Sequence, residues 1–299
     1  MMTYPQALEY LLSKLPMYSR IGAAAYREDL GNTLRLTEAL GHPERRFRSV
    51  HVAGTNGKGS TSHMLAAVFQ EAGYRTGLYT SPHLKDFRER IRVNGKMIDE
   101  AAVCDFVVRM QPLADAIDPS FFEMTVAMAF DYFALQQVDI AIIEVGLGGR
   151  LDSTNVITPE LSVITNIGYD HMNLLGNTLE AIAGEKAGII KPQVPVVIGQ
   201  HHPGSAVVFE QKAAAERAWL GFADQRRYVT DWKFGRHTLN VEVATTPVAA
   251  DVEWYTLDLM GIYQTHNLLT VLEAVHVLRG RGWKLEPAVV HRGLRQVKK

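Results

Sequence analysis

Apolar positions along the chain switch repeatedly between helical spacing and short unbroken runs. Leu8, Leu11, Leu12 and Leu15 fall at helical spacing, and a second such run extends from Leu30 to Leu40, so residues 1–45 read as a helical N-terminal part. Phe47 to Ala53 predicts a short strand, Ser60 to Ala72 a helix ended by Gly73, and Thr76 to Tyr79 another strand. That is a βαβ unit with a glycine-rich turn at the carboxyl end of its first strand, where open α/β sheets bind ligands. Three later runs are uninterrupted rather than alternating, as in strands buried on both faces. They are DIAIIEV (Asp139 to Val145), LSVIT (Leu161 to Thr165) and PVVIG (Pro195 to Gly199). Alternation from Thr238 to Leu259 predicts a β-hairpin or small antiparallel patch, and helices from about Gln264 to Arg279 and from about Glu286 close the chain. The pattern predicts an α/β, doubly wound fold with a largely parallel sheet.

Composition narrows the class. At 299 residues the chain has room for two average domains or one large one, and 47% hydrophobic against 21% charged residues excludes a disordered or fibrous protein. Lys plus Arg (31) against Asp plus Glu (32) gives a net charge of −1, no footprint for nucleic acid or an anionic membrane. No apolar run approaches the roughly 18 residues of a membrane span, and MMTYPQALEYLLSKLP lacks the features of a secretory signal. Cys104, the single cysteine, reads as a small buried apolar residue within Ala101 to Val108, in keeping with a reducing compartment. A cytoplasmic protein is expected.

The strongest chemical signal is HVAGTNGKGSTS, between a strand and a helix. Gly54, Gly57 and Gly59 let the backbone turn its N–H groups onto an anion, and the helix N-terminus adds about half a positive charge. Lys58 would reach the terminal phosphates of a nucleotide, with Ser60 or Thr61 offering a hydroxyl to magnesium. The strict phosphate-loop spacing is not met, since the glycine falls at 54 rather than 52 and Gly59 separates Lys58 from Ser60. The bland alternative is a glycine-rich turn with a solvated lysine. Glu144, at the end of a very apolar strand, stands where nucleotide-binding sheets place a magnesium ligand. Ser81 and His171 follow two other strands and would reach the same rim, although a histidine in isolation is more often a structural hydrogen-bonder. On spacing alone Lys186 is a solvated helix lysine, and Phe121, Phe122 and Glu123 open a helix whose aromatics suit a core better than a flat ligand.

Taken together, HVAGTNGKGSTS, YTSPHLKDFRERIRVNG, FFEMTVAMAF, IIEVGLGGRLDSTNVI, TNIGYDHMNLLG and IAGEKAGIIK resemble, in order and spacing, the folylpolyglutamate synthase and dihydrofolate synthase family of the Mur ligase superfamily. The resemblance covers most of residues 17 to 200. It implies a phosphate-binding loop fold and ATP-dependent joining of L-glutamate to a folate or dihydropteroate carboxylate through an acyl phosphate, in folate biosynthesis and one-carbon metabolism. It implies that Thr55, Asn56, Gly57, Lys58, Gly59 and Ser60 cradle the ATP phosphates, with Ser60 on one magnesium ion. A second magnesium would be held by Ser81, Glu144 and His171, and Lys186 would become carbamylated, reversing its bland reading. Lys58, Lys186 and His171 are then the catalytic set. Phe121, Phe122 and Glu123, with Leu151, Asp152 and Ser153, would surround the pterin, Asn267 would lie beside adenine, and Arg88 and Arg90 would sit in a loop covering the site.

A further Rossmann-like domain of about 100 to 150 residues follows in the family, carrying a DxAHNP motif. Neither occurs in this sequence, so one Mur ligase-type ATP-binding domain is expected over 1–299, its α/β ATPase core over 46–299, with the C-terminal ligase domain missing. The expected partners are small molecules (ATP, L-glutamate, and dihydropteroate or folate), with no nucleic acid or membrane and a monomeric state. The alternative is a nucleotide-binding module without ligase activity.

Overall fold

The computed structural model describes residues 2–16, 29–246 and 251–297. Parts of the helical N-terminal reading (17–28), of the antiparallel patch (247–250) and of the C-terminal end (298–299) lie outside the described residues. Two sheets are present: β1 (Arg48–Ala53), β2 (Thr76–Tyr79), β3 (Ile91–Val93), β4 (Lys96–Met97), β5 (Ile140–Glu144), β6 (Leu161–Ile164), β7 (Val196–Ile198) and β8 (Leu220–Phe222) form the larger. The smaller consists of β9 (Tyr228–Phe234), β10 (Leu239–Ala244) and β11 (Val252–Leu257).

In the large sheet the strand order is β4-β3-β2-β5-β1-β6-β7-β8, parallel from β2 to β8, with β3 and β4 added antiparallel at one edge. The period-two alternation of side chains sends Val50 and Val52 into one core and Ala53 into another. The first face is covered by the helices Lys58–Glu71, Gln264–Gly280 and Pro287–Leu294 together with the small sheet. Opposite it lie Phe121–Leu135 and Glu100–Ile117 over one half, and Leu179–Ala187 and Pro203–Ala215 over the other. Helices on both faces of a parallel sheet make the fold doubly wound, as the pattern predicts. β5 and β6 are buried along their whole length, and their largely apolar sequences fit burial on both faces.

The antiparallel patch read at 238–259 is present, as two strands of a three-stranded antiparallel sheet. β9 escapes the pattern because its outer residues, Trp232 and Phe234 among them, are exposed and give no apolar stripe. The sheet is tied to the body by Glu273, buried on the helix Gln264–Gly280, which accepts from Arg226 Nε at 2.7 Å and Arg227 Nε at 3.1 Å. Cys104 is half-buried rather than buried, packing at the edge of the core on the helix Glu100–Ile117. Among the described residues no helix is long and apolar enough to cross a membrane.

Candidate active site

The carboxyl ends of β2, β5, β1 and β6 are neighbours in the sheet, so the segments after them share one rim. After β1 the chain turns at Gly54, where an added Cβ would stand 1.9 Å from Thr165 Oγ1. Thr165 uses that hydroxyl to hold the loop, donating to Asn56 O at 2.5 Å, while Asn56 N donates to Asn166 Oδ1 at 2.9 Å. Gly57 then takes φ +81° and starts the helix Lys58–Glu71 without a side-chain cap, leaving its first N–H groups to meet an anion.

Lysine charge gathers at this loop. Lys58 Nζ donates to Gly54 O at 3.0 Å and Thr55 O at 3.2 Å, and Lys186 Nζ donates to the same Gly54 O at 3.0 Å. Lys186 is 4% exposed, and burial, reinforced by the Lys58 charge, lowers its pKa to about 8. Its position is thus buried, not a solvated helix face. A small cleft brings Lys58 and Lys186 together with Asp170, His171 and the Gly146–Leu147 turn. His171 adopts a left-handed backbone (φ 49°) and its ring lies 3.7 Å from Asp170 Oδ2.

Glu144 ends β5 at 4% exposure, and burial pushes its carboxyl up to about 7 against the opposing pull of Lys58. Its Oε2 accepts from Ser81 N at 3.2 Å, and a Cβ at Gly59 would lie 3.7 Å from Oε1. Ser81, Gly59 and Glu144 therefore meet, whereas His171 is placed in the cleft with the two lysines. Glu144 has no arginine or lysine hydrogen-bonded to it among the described residues, so its buried charge suits a cation. Three or more His, Cys, Asp or Glu side chains arranged to hold a metal do not occur among the described residues. A magnesium ion here would draw on Glu144, serine hydroxyls, water and phosphate oxygens, its ordinary ligands.

Ser60 Oγ accepts from Gln264 Nε2 at 3.1 Å, and Gln264 Oε1 accepts from Asn267 Nδ2 at 2.8 Å. Asn267 reaches so close to the loop that a Cβ at Gly57 would stand 2.2 Å from its Oδ1. Gln264 was not singled out by the sequence; its signal is its place three residues before Asn267, on the same helix face. Asp170 and Thr165 were missed too, each adjoining or ending a segment that the motifs marked.

On the opposite side of Glu144, Ser120 and Glu123 form a capping box that fixes the start of the helix Phe121–Leu135. Glu123 Oε2 accepts from Ser120 N at 2.6 Å, so its carboxylate serves the helix end. Phe122 lies against the turn after β5, where a Cβ at Gly146 would be 2.3 Å from the ring. Phe121 is buried under the Arg90 guanidinium, 5.1 Å from its ring centre, and Arg90 Nε donates to His83 Nδ1 at 2.7 Å. Arg88 is engaged with Asp86 at 2.7 Å. Leu151 is half-buried, Ser153 is buried, and Asp152 is buried with both oxygens occupied, Oδ1 by Thr154 N at 3.0 Å and Oδ2 by Leu147 N at 2.9 Å.

The Mur ligase middle domain model matches residues 52–275. Folylpolyglutamate synthase of Lacticaseibacillus casei is 36% identical over 302 residues, covering 98% of this chain and 68% of that protein. A dihydrofolate synthase/folylpolyglutamate synthase of Bacillus subtilis is 50% identical over 196 residues, 63% of this chain and 46% of that one. The chain thus spans between about half and two thirds of these relatives' length. Among solved structures, the apo form of L. casei FPGS superposes with a TM-score of 0.90 at 34% identity, covering 100% of this chain and 72% of that one. An FPGS–AMPPCP–folate complex gives 0.89 at 35% identity with the same coverage. With the phosphate loop, the carboxylate rim and these matches in hand, the chain belongs to the folylpolyglutamate synthase/dihydrofolate synthase family of the Mur ligase superfamily.

Proposed function

We propose that this chain carries the ATP-binding and acceptor-activating part of a ligase that joins L-glutamate to folate or dihydropteroate. The observation that carries the reading is the convergence of the uncapped loop helix, Lys58, Lys186 and the buried Glu144 at one sheet edge. The relative solved with AMPPCP and folate supports the ligand classes.

The reaction begins with two anions approaching each other. An acceptor carboxylate oxygen attacks the γ-phosphorus of ATP, ADP leaves, and an acyl phosphate forms; the amine of glutamate then attacks the carbonyl carbon and phosphate leaves. Two unit charges about 4 Å apart repel by about 4 kcal/mol at an effective dielectric near 20. Lys58 and the loop N–H groups offset that charge on the transferring phosphoryl group. Magnesium, when bound, would neutralise phosphate charge, with Ser60 holding one ion and Ser81 and Glu144 a second, which His171 would have to reach from the adjoining lysine cleft. Lys186, buried and low in basicity, would react as its neutral amine with carbon dioxide, losing a proton to give a carbamate whose negative charge bound magnesium would favour. Asn267 would meet adenine, and Phe121, Phe122 and the segment 151–153 would surround the pterin.

Labelled L-glutamate tests this reading. Transfer to folate or dihydropteroate that requires ATP and magnesium and disappears in Lys58→Ala supports it. ATP binding with neither transfer to an acceptor nor activation of its carboxylate makes the chain a nucleotide-binding module.

A further inference from the structure

His51 opens the phosphate-loop motif yet has no part in the chemistry above. It sits on β1, the strand between β5 and β6, is 0% exposed, and faces away from the core that takes Val50 and Val52. Its Nε2 lies 2.8 Å from Thr154 Oγ1, and Thr154 Oγ1 donates in turn to Asp152 Oδ1. A hydroxyl has one proton to give. Spent on the carboxylate, it leaves Thr154 only able to accept from the ring, which places the imidazole proton on Nε2. The other ring nitrogen, Nδ1, is buried without a hydrogen-bond partner among the described residues. In this tautomer the unpaired group is a lone pair rather than an N–H, the less costly of the two to bury. The chain therefore has a single polarity, ring to hydroxyl to carboxylate, in which each bond strengthens the next.

Its far end is the turn after β5. Asp152 Oδ2 accepts from Leu147 N at 2.9 Å, and Gly146, one residue earlier, is packed against the Phe122 ring. The same turn lines the cleft that holds Lys58 and Lys186. We infer that His51 is a positioning residue for the acceptor: through Thr154 its Nε2–H fixes Asp152, and Asp152 fixes the Gly146–Leu147 turn beside Phe122. This rests on the reading that Phe122 and the segment 151–153 surround the pterin. It separates His51 from its neighbours in sequence, because the motif that follows it serves the nucleotide while His51 serves the other substrate.

The test uses the 299-residue chain with His51→Leu, which removes the donor, His51→Gln, whose amide can restore a donor, and Thr154→Val, which breaks the chain at its middle. Calorimetry reads folic acid binding in the presence of magnesium and AMPPCP, and AMPPCP binding alone; side-chain nitrogen NMR reads the His51 tautomer. The loss of one buried hydrogen bond to the relay should weaken folic acid about tenfold in His51→Leu and in Thr154→Val, with AMPPCP within about twofold. His51→Gln should return to within about threefold of wild type, the two deletions should not add, and the ring should carry its proton on Nε2. A proton on Nδ1, equal weakening of both ligands, or a His51→Gln no better than His51→Leu overturns the inference. Wild-type chain that fails to bind folic acid overturns the functional reading itself, whereas wild-type binding that His51→Leu leaves unchanged overturns the inference alone.

Discussion

Glu144→Gln removes a titration that burial has displaced. The carboxyl is raised from 4.5 to about 7 by burial, with Lys58, the Ser81 N–H and Arg90 pulling the other way. One pKa unit is worth about 1.4 kcal/mol, so ionising Glu144 in the folded chain costs roughly 3 kcal/mol once pH exceeds both values. Between pH 4.5 and about 7 the folded chain holds a proton that the unfolded chain has released, so this group's contribution makes stability fall as pH rises through that window. Below it both states are protonated and nothing changes. From pH 5 to pH 8 the linkage integral gives about 2.5 kcal/mol. Glutamine keeps an oxygen for the Ser81 N–H and does not titrate, so the variant should gain that amount relative to wild type over the same range. Urea unfolding at both pH values, without magnesium, measures the difference, and groups common to the two proteins cancel. Added magnesium should then stabilise wild type more than the variant at pH 8, because a ligand of the native state alone shifts the unfolding equilibrium. Parallel pH profiles would refute the buried, cation-seeking carboxylate; equal magnesium stabilisation of both proteins would refute its assignment as a metal ligand.

Gly57→Ala should lose about 2 kcal/mol or more in thermal or urea unfolding, from its left-handed φ of +81° and from a Cβ 2.2 Å from Asn267 Oδ1. Adding Asn267→Ala should recover the collision and leave the backbone strain. Lys186, lowered to about 8 from 10.5, is neutral at physiological pH roughly two orders of magnitude more often than an ordinary lysine. With 13C-labelled bicarbonate and magnesium it should give a carbamate signal by NMR that Lys186→Met lacks. His51, lowered from 6.5 to about 3 by burial and then by Lys191, stays neutral in the folded chain while the unfolded ring takes up a proton. Its contribution to stability should therefore fall as pH drops from about 6.5 toward about 3, and His51→Gln should unfold with a flatter acid profile.

Strand runs buried on both faces were legible because no charged residue interrupts them: β2 lies at Thr76–Tyr79 as read, and β5 and β6 within a residue of their expected ends. The rim followed from them, since Gly54, Ser81 and His171 each come after a parallel strand and Glu144 ends one. Short edge elements were less visible. β3 and β4 are three and two residues long and carry no period, although the Asn94–Gly95 turn between them, both with positive φ, is a hairpin signal in its own right. Lys186 could not be placed from spacing, because alanines and isoleucines around a lysine describe a buried helix and a half-covered one equally well. Side-chain pairings across long separations were out of reach as well. Gln264 meets Ser60 across 204 positions, and His51 meets Thr154 across 103, contacts that only the folded sheet and its covering helices create.

Activation of the acceptor is the step on which the proposed function depends, and trapping it is the most direct measurement. The chain is incubated with ATP, magnesium, folic acid or dihydropteroate, and hydroxylamine, which displaces phosphate from an acyl phosphate to leave a hydroxamate. Hydroxamate formed on the acceptor carboxylate in proportion to ADP, and absent in Lys58→Ala, is the predicted result. ATP cleavage with no hydroxamate on either acceptor would contradict it.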